Sequence, residues 1–168
     1  IRWGVSYHQS GSPDAQRQWE RIRRELQEFH DHKVTVVVEV GAGHHEQPLG
    51  RGRPHLDEQG FMKEGEKEDL TWRPEHDADY EAFCYQLVTE FGWPKGPVTA
   101  IKLWNEPWEG LSISGWGADM VRYRELFKRM GDAVFRARQA TGVDVLIGGC
   151  DSSANTIDKL FGDNWDAW

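Results

Sequence analysis

The segment Leu103-Trp104-Asn105-Glu106-Pro107-Trp108 sets a carboxyl beside a carboxamide and between two indoles. Partial desolvation by such neighbours favours the neutral carboxylic acid, which can then hold a proton near neutrality and act as a general acid. The amide of Asn105 can hydrogen-bond a substrate hydroxyl, and Pro107 stiffens the chain just beyond it. The rings of Trp104 and Trp108 offer flat apolar faces on which a ligand could stack. The plainer alternative is a strand-end glutamate that simply meets solvent. The flanking tryptophans, the β-like run before them and the long helical pattern after them favour the chemical reading.

Other polar residues could line the same mouth. His44 and His45, with Glu39, Glu46 and His55 nearby, invite a metal, but their spacing fits no H-E-x-x-H or related pattern. Hydrogen bonding to substrate hydroxyls is the better use of these histidines, with a solvated loop an equal alternative. Tyr7, His8 and Gln9 close the first β-like run and are candidate substrate contacts. Trp3 and Trp116 are further candidates for stacking, whereas Trp19 and Trp165 read as core. Arg21, Arg23 and Arg24 read as a solvated helix face paired with Glu20, Glu25 and Glu28. Cys84 and Cys150 make neither a disulfide framework nor a metal-ligand spacing.

The elements that must position these groups follow from periodicity. The chain has 168 residues, 38% of them hydrophobic, enough for one domain with a packed core. Its net charge of −8 argues against a nucleic-acid backbone or an anionic membrane surface as partner. No apolar run approaches the roughly 20 residues of a membrane span. Four β-like runs, 1–7, 34–40, 97–104 and 143–149, alternate with helical patterns. The Val-rich run 34–40 reads as a fully buried parallel strand. Ser12-Pro13-Asp14 is a helix start, followed by Trp19, Ile22, Leu26 and Phe29 on one face. Tyr80, Phe83, Cys84, Leu87, Val88 and Phe91 mark a second helix, stopped by Gly92 and Pro94. Met120, Tyr123, Phe127, Met130, Val134 and Ala137 mark a third over 118–141, ended by Gly142, and a short helix is expected near Thr156. Residues 41–76 have no sustained period and read as a long functional loop over the mouth. Strand alternation puts Val98, Ala100, Lys102, Trp104 and Glu106 on one face and Thr99, Ile101 and Leu103 on the other.

Strand alternating with helix is the pattern of parallel βαβ units. An open doubly wound sheet and part of a (β/α)8 barrel compete. The chain lacks G-x-G-x-x-G and G-x-x-x-x-G-K-[ST], which weakens the nucleotide-binding sheet. A complete barrel needs eight units in about 250 residues, so four strands are about half of one.

Residues 98–108, VTAIKLWNEPW, resemble the fourth barrel strand of clan A glycoside hydrolases, which ends in Asn-Glu with the Glu as acid/base. Ile1-Arg2-Trp3 is similar to the clan's second strand, whose Arg supports the nucleophile, and residues 34–41 are similar to its third. Residues 145–151 resemble the Gly-Gly-Pro strand of the β-xylosidase/α-iduronidase family, with Cys150 in place of Pro. The resemblance implies an α/β fold: a partial (β/α)8 TIM barrel of about strands two to five, a single domain over 1–168 incomplete at both ends. It implies retaining hydrolysis of O-glycosidic bonds, with Glu106 as acid/base and Asn105 on the hydroxyl next to the anomeric carbon. Arg2 would support a nucleophile from strand seven, onto which no residue of this chain maps. Trp104, Trp108, Tyr7, His44 and His45 complete the expected carbohydrate contacts. The implied partners are a carbohydrate and the remainder of the barrel; neither cofactor nor metal is implied. Two alternatives stay open: a non-catalytic carbohydrate-binding barrel, and a metal hydrolase built on the His-rich loop.

Overall fold

The computed structural model describes residues 1–6, 13–41, 77–104 and 120–148. They form β1 (Arg2–Ser6), α1 (Pro13–Asp31), β2 (Val36–Gly41), α2 (Asp77–Phe91), β3 (Val98–Leu103), α3 (Met120–Thr141) and β4 (Leu146–Gly148). All three strand pairings are parallel and the sheet order is β1-β2-β3-β4, so the fold is α/β with no reversal of strand order. The loop 41–76 beyond Gly41, the expected helix near Thr156, Trp116 and Trp165 lie outside the described residues. No helix among the described residues is long and apolar enough to cross a membrane.

Register divides the sheet into two unlike faces. Residues paired across parallel strands share a face, so Trp3 goes with Val38, Val5 with Val40, Val38 with Ile101 and Val40 with Leu103. Apart from the partly buried Trp3, these side chains are buried. They join Ile22 and Leu26 of α1, Leu87 and Val88 of α2, and Leu126, Met130 and Val134 of α3 in one core cluster. The other face carries Arg2, Val37, Glu39, Ala100 and Lys102. β2 is therefore not buried on both sides as its Val-rich run suggests. Val36, Val38 and Val40 are fully covered, while Val37 and Glu39 are only partly so.

A register shift falls between Val36 and Val37: Val36 pairs with Val98, and Val37 pairs with Ala100. The extra residue is Thr99, whose hydroxyl donates to the Val36 carbonyl at 3.3 Å. A bulge of this kind changes the parity of the strand. Val98 consequently joins the buried core with Val36, rather than the Ala100 and Lys102 face that simple alternation assigns to it.

The helices bury the faces their spacing predicts. Ile22 and Leu26 are fully buried in α1, with Trp19 and Phe29 packed at the margin. Trp19 lies edge-on to Phe83 of α2, with ring centroids 5.5 Å apart. Arg21 meets Glu25 on its own helix at 3.8 Å. Arg23 instead reaches across to Glu90 of α2 at 3.1 Å and lies over the Trp19 ring, so it ties two helices together rather than forming a purely solvated face.

Helix ends are closed by specific geometry. At the end of α1 the Lys33 N–H donates to His30 O at 3.0 Å and the Val34 N–H to Phe29 O at 2.8 Å. This pair of bonds is a Schellman motif, which requires a left-handed residue at Lys33, and its φ is 58°. Gly142, with φ 71°, closes α3 by the simpler αL motif, its N–H donating to Arg138 O at 2.9 Å. After α2, Gly92 is required by close approach. A Cβ there would lie 2.5 Å from the Val88 carbonyl oxygen and 2.9 Å from Val143 Cβ.

Two expectations follow. A lysine at a left-handed position is less favourable than glycine, so Lys33→Gly should raise stability by about 1 kcal/mol, read as a higher urea midpoint with unchanged m. The second concerns Cys84, which is buried beside Tyr80. Burial, opposed by the Tyr80 hydrogen bond and aided by the charge of Glu81, pushes its thiol from 9.0 up to about 12. Burial likewise pushes the Tyr80 phenol well above its ordinary value. The fold thus holds protons that the unfolded chain releases. Stability should be full below pH 9 and fall as pH rises from 9 toward about 12. Iodoacetamide at neutral pH should spare Cys84 in the folded protein and label it after unfolding, as read by peptide mass spectrometry.

Candidate functional site

The carboxyl ends of β1, β2 and β3 lie side by side. Ser6 pairs with Gly41 and Val40 with Leu103, and the Trp104 N–H donates to the Val40 carbonyl at 3.1 Å. Ligand sites of parallel α/β sheets form where the chain leaves these ends. Tyr7 follows directly on β1, His44 and His45 follow shortly after β2, and Asn105 and Glu106 follow directly on Trp104. Tyr7, His44, His45, Asn105, Glu106 and Trp108 themselves lie outside the described residues. The described part of the site's floor is Glu39 and Lys102, near the carboxyl ends of β2 and β3; Arg2 opens β1 at its amino end, and Trp104 belongs to the buried core.

Three charges form a row on the face opposite the helices. Lys102 Nζ lies 2.9 Å from Glu39 Oε2, and Arg2 Nη1 lies 3.8 Å from the same oxygen. Lys102 is 7% exposed, a degree of burial that an ammonium tolerates only with a partner. Its contact with Glu39 Oε2 is a charge–charge approach rather than an aligned hydrogen bond. Gly148 of β4 registers with Lys102, and a Cβ there would come within 3.0 Å of Lys102 Cβ. Glycine at this position leaves room for the lysine stem. The Arg2 side chain is 59% exposed and meets Glu39 from the solvent side of the row.

Trp104 departs from the rest of its strand. Its φ is 58°, so extended alternation stops at Leu103, and its side chain is 5% exposed within the core cluster. The peptide unit before it is bonded at both poles. The Leu103 carbonyl accepts from the Tyr123 hydroxyl of α3 at 3.3 Å, and the Trp104 N–H donates to Val40 O.

Sequence alone singles out Arg2 and Trp104, and it offers no link between Lys102 and Glu39. The available signal was one charged residue inside each of two apolar β-runs, which only register could pair. Tyr123 read as an ordinary core aromatic; nothing local marked its hydroxyl as a partner for a strand end.

Two other possibilities can be placed. Among the described residues no group of three or more His, Cys, Asp and Glu could hold a metal. An open depression of about 630 Å³ between α1 and α2 is lined by Arg23, Arg24, Lys95, Glu20 and Glu90 among others. It lies beside the turn into β3, at the other end of the strands. Burial raises the Glu90 carboxyl, but hydrogen bonds from Arg23 and Gln86 and the charges of Arg23 and Lys95 outweigh that and hold it below the usual value.

The ion row gives a stability prediction. Glu39→Leu leaves two cations without their shared carboxylate and should cost about 3 kcal/mol in urea denaturation. Lys102→Met should cost less, because Arg2 still faces Glu39. The double variant should recover much of the Glu39→Leu loss, giving a clear coupling energy in the mutant cycle.

Comparison with family models, with curated proteins and with solved structures gives no match for this chain.

Proposed function

We propose that this chain is part of a (β/α)8 barrel of a retaining glycoside hydrolase, about strands two to five, with Glu106 as the acid/base. One observation carries the reading. Asn105-Glu106-Pro107 begins two residues beyond the end of β3, the third of four parallel strands whose order never reverses. Doubly wound sheets reverse their order at the point where they bind ligands, whereas a barrel keeps one direction throughout. The charged face opposite the helices supports the same reading, since it suits the lining of a barrel mouth better than an apolar interface.

In this mechanism Glu106 protonates the departing glycosidic oxygen while a second carboxylate attacks the anomeric carbon. The two carboxyls would stand about 5–5.5 Å apart, with the second supplied by a later strand of the barrel. The Glu106 carboxylate then takes a proton from the water that releases the sugar, so configuration is retained. Asn105 hydrogen-bonds the hydroxyl next to the anomeric carbon. Trp108 provides a face for the sugar ring, Tyr7, His44 and His45 bond its rim hydroxyls, and Arg2 orients the attacking carboxylate. No step calls for a cofactor.

Glu106→Ala, made in the protein that carries the whole barrel, tests this. Turnover of glycosides with poor leaving groups should fall by roughly 10²–10⁴, since those need the proton. Dinitrophenyl glycosides should still form the glycosyl-enzyme and then stall. Azide, which attacks without a base, should restore turnover and give a glycosyl azide of retained configuration. Equal loss for good and poor leaving groups, with no effect of azide, would remove Glu106 from the acid/base role.

A further inference from the structure

The two flanks of α3 are unequally served. On one, Arg129 and Arg136 reach Glu81 of α2 at 3.1 and 2.7 Å. Gly131 and Arg138 each stand two residues further on, about 200° round the helix, so they mark the flank turned away from α2. Phe135, four residues from Gly131, shares that stripe. Its side chain is 60% exposed. Ile147 of β4, which registers with Ile101 on the helix side of the sheet, is 39% exposed beside it.

Nothing among the described residues calls for glycine at 131. Glycine is a poor helix former, and this one sits near the middle of a 22-residue helix. Among the described residues a Cβ there would meet only Ile147 Cδ1, at 3.7 Å, which is ordinary contact. Its backbone is not left-handed either. A bare patch of helix one turn from an exposed phenylalanine is a seat for a ring that this chain does not itself fill.

The stripe is complementary to itself. Along the helix it runs from the Lys128–Asp132 ion pair, through Gly131 and Phe135, to Arg138, which pairs with Asp144 at 3.6 Å. Two such stripes laid antiparallel about a two-fold axis between Gly131 and Phe135 bring each Phe135 over the other copy's Gly131. The same rotation sets Lys128 and Asp132 of one copy against Arg138 and Asp144 of the other. Each end then holds two cations and two carboxylates, so the contact carries none of the repulsion expected between chains of net charge −8.

We propose that the occupant of this strip is a second copy of the chain, packed α3 against α3 with the Phe135 of each seated on the Gly131 of the other. The inference goes beyond the glycosidase reading and does not rest on Glu106. The stripe is about 15 Å long, so the interface is small and the association weak, in the micromolar range.

Sedimentation velocity of the 168-residue chain, from about 1 to 200 μM, tests it. The weight-average mass should rise with concentration and level off at two chains. Phe135→Asp puts a charge at the centre of the contact and should raise the dissociation constant by roughly tenfold or more. Gly131→Ala separates the interface from the fold. Its methyl has room in the single chain and favours the helix, so the urea midpoint should rise, while the filled seat should raise the dissociation constant several-fold. It also keeps the test if Phe135→Asp fails to fold. A monomer at every concentration leaves the strip to residues 149–168 or to a later unit of a barrel, and overturns the inference. So does mass that grows past two chains, and so does a dimer that both variants leave intact.

Discussion

The pairing of Glu39 with Lys102 gives this sheet its two-sided character. A parallel strand usually wants apolar cover on both faces, because its crossovers bring helices to it. Here the crossovers cover one face only, with Val38, Val40, Ile101 and Leu103 beneath them. The other face can hold charge because the charges on neighbouring strands meet in register, Glu39 against Lys102 with Arg2 alongside. Without that register the buried Lys102 would lose the carboxylate beside it, a costly change for an ammonium this deeply covered. Glu39 and Lys102 of this row leave a polar floor near the carboxyl ends of β2 and β3.

Much of this was legible in the amino-acid order. Ile22 and Leu26, Tyr80 and Leu87, and Met130 and Val134 are fully buried where helical spacing placed them. Gly92 and Gly142 stop their helices for the steric and conformational reasons that glycine carries. Ion partners were less legible. Arg23 has glutamates close by on its own helix, yet it binds Glu90 on the next, because the Trp19 ring beneath it and the packing of α1 on α2 offer a firmer seat. Local spacing counts neighbours; it does not weigh them against a partner brought in by the fold.

The parity of β3 was hidden for a related reason. Alternation treats a strand as uniform, and one extra residue at Thr99 is enough to turn Val98 inward while leaving Ile101 and Leu103 on the helix side. A bulge is decided by pairing with β2, so its signal is divided between two distant runs of sequence. Of the candidate site, the described residues could be reconciled one by one. Arg2 lies on the polar face, and Trp104 ends its strand with a twist that no periodicity encodes.

The unreversed order of the strands has a consequence for how such a chain can be assembled. Each strand pairs with the one that precedes it in sequence, so no strand waits for a later one to be inserted between it and its neighbour. A ribosome releasing this chain from its amino end could add each strand-and-helix unit to a growing margin. Every addition would extend an existing template rather than disrupt one. A doubly wound sheet, whose first strand ends up in the middle, must grow in both directions from its starting point. Among the described strands the margin that would grow in this way is the most recently made one, and at β4 it carries the exposed side chains of Leu146 and Ile147.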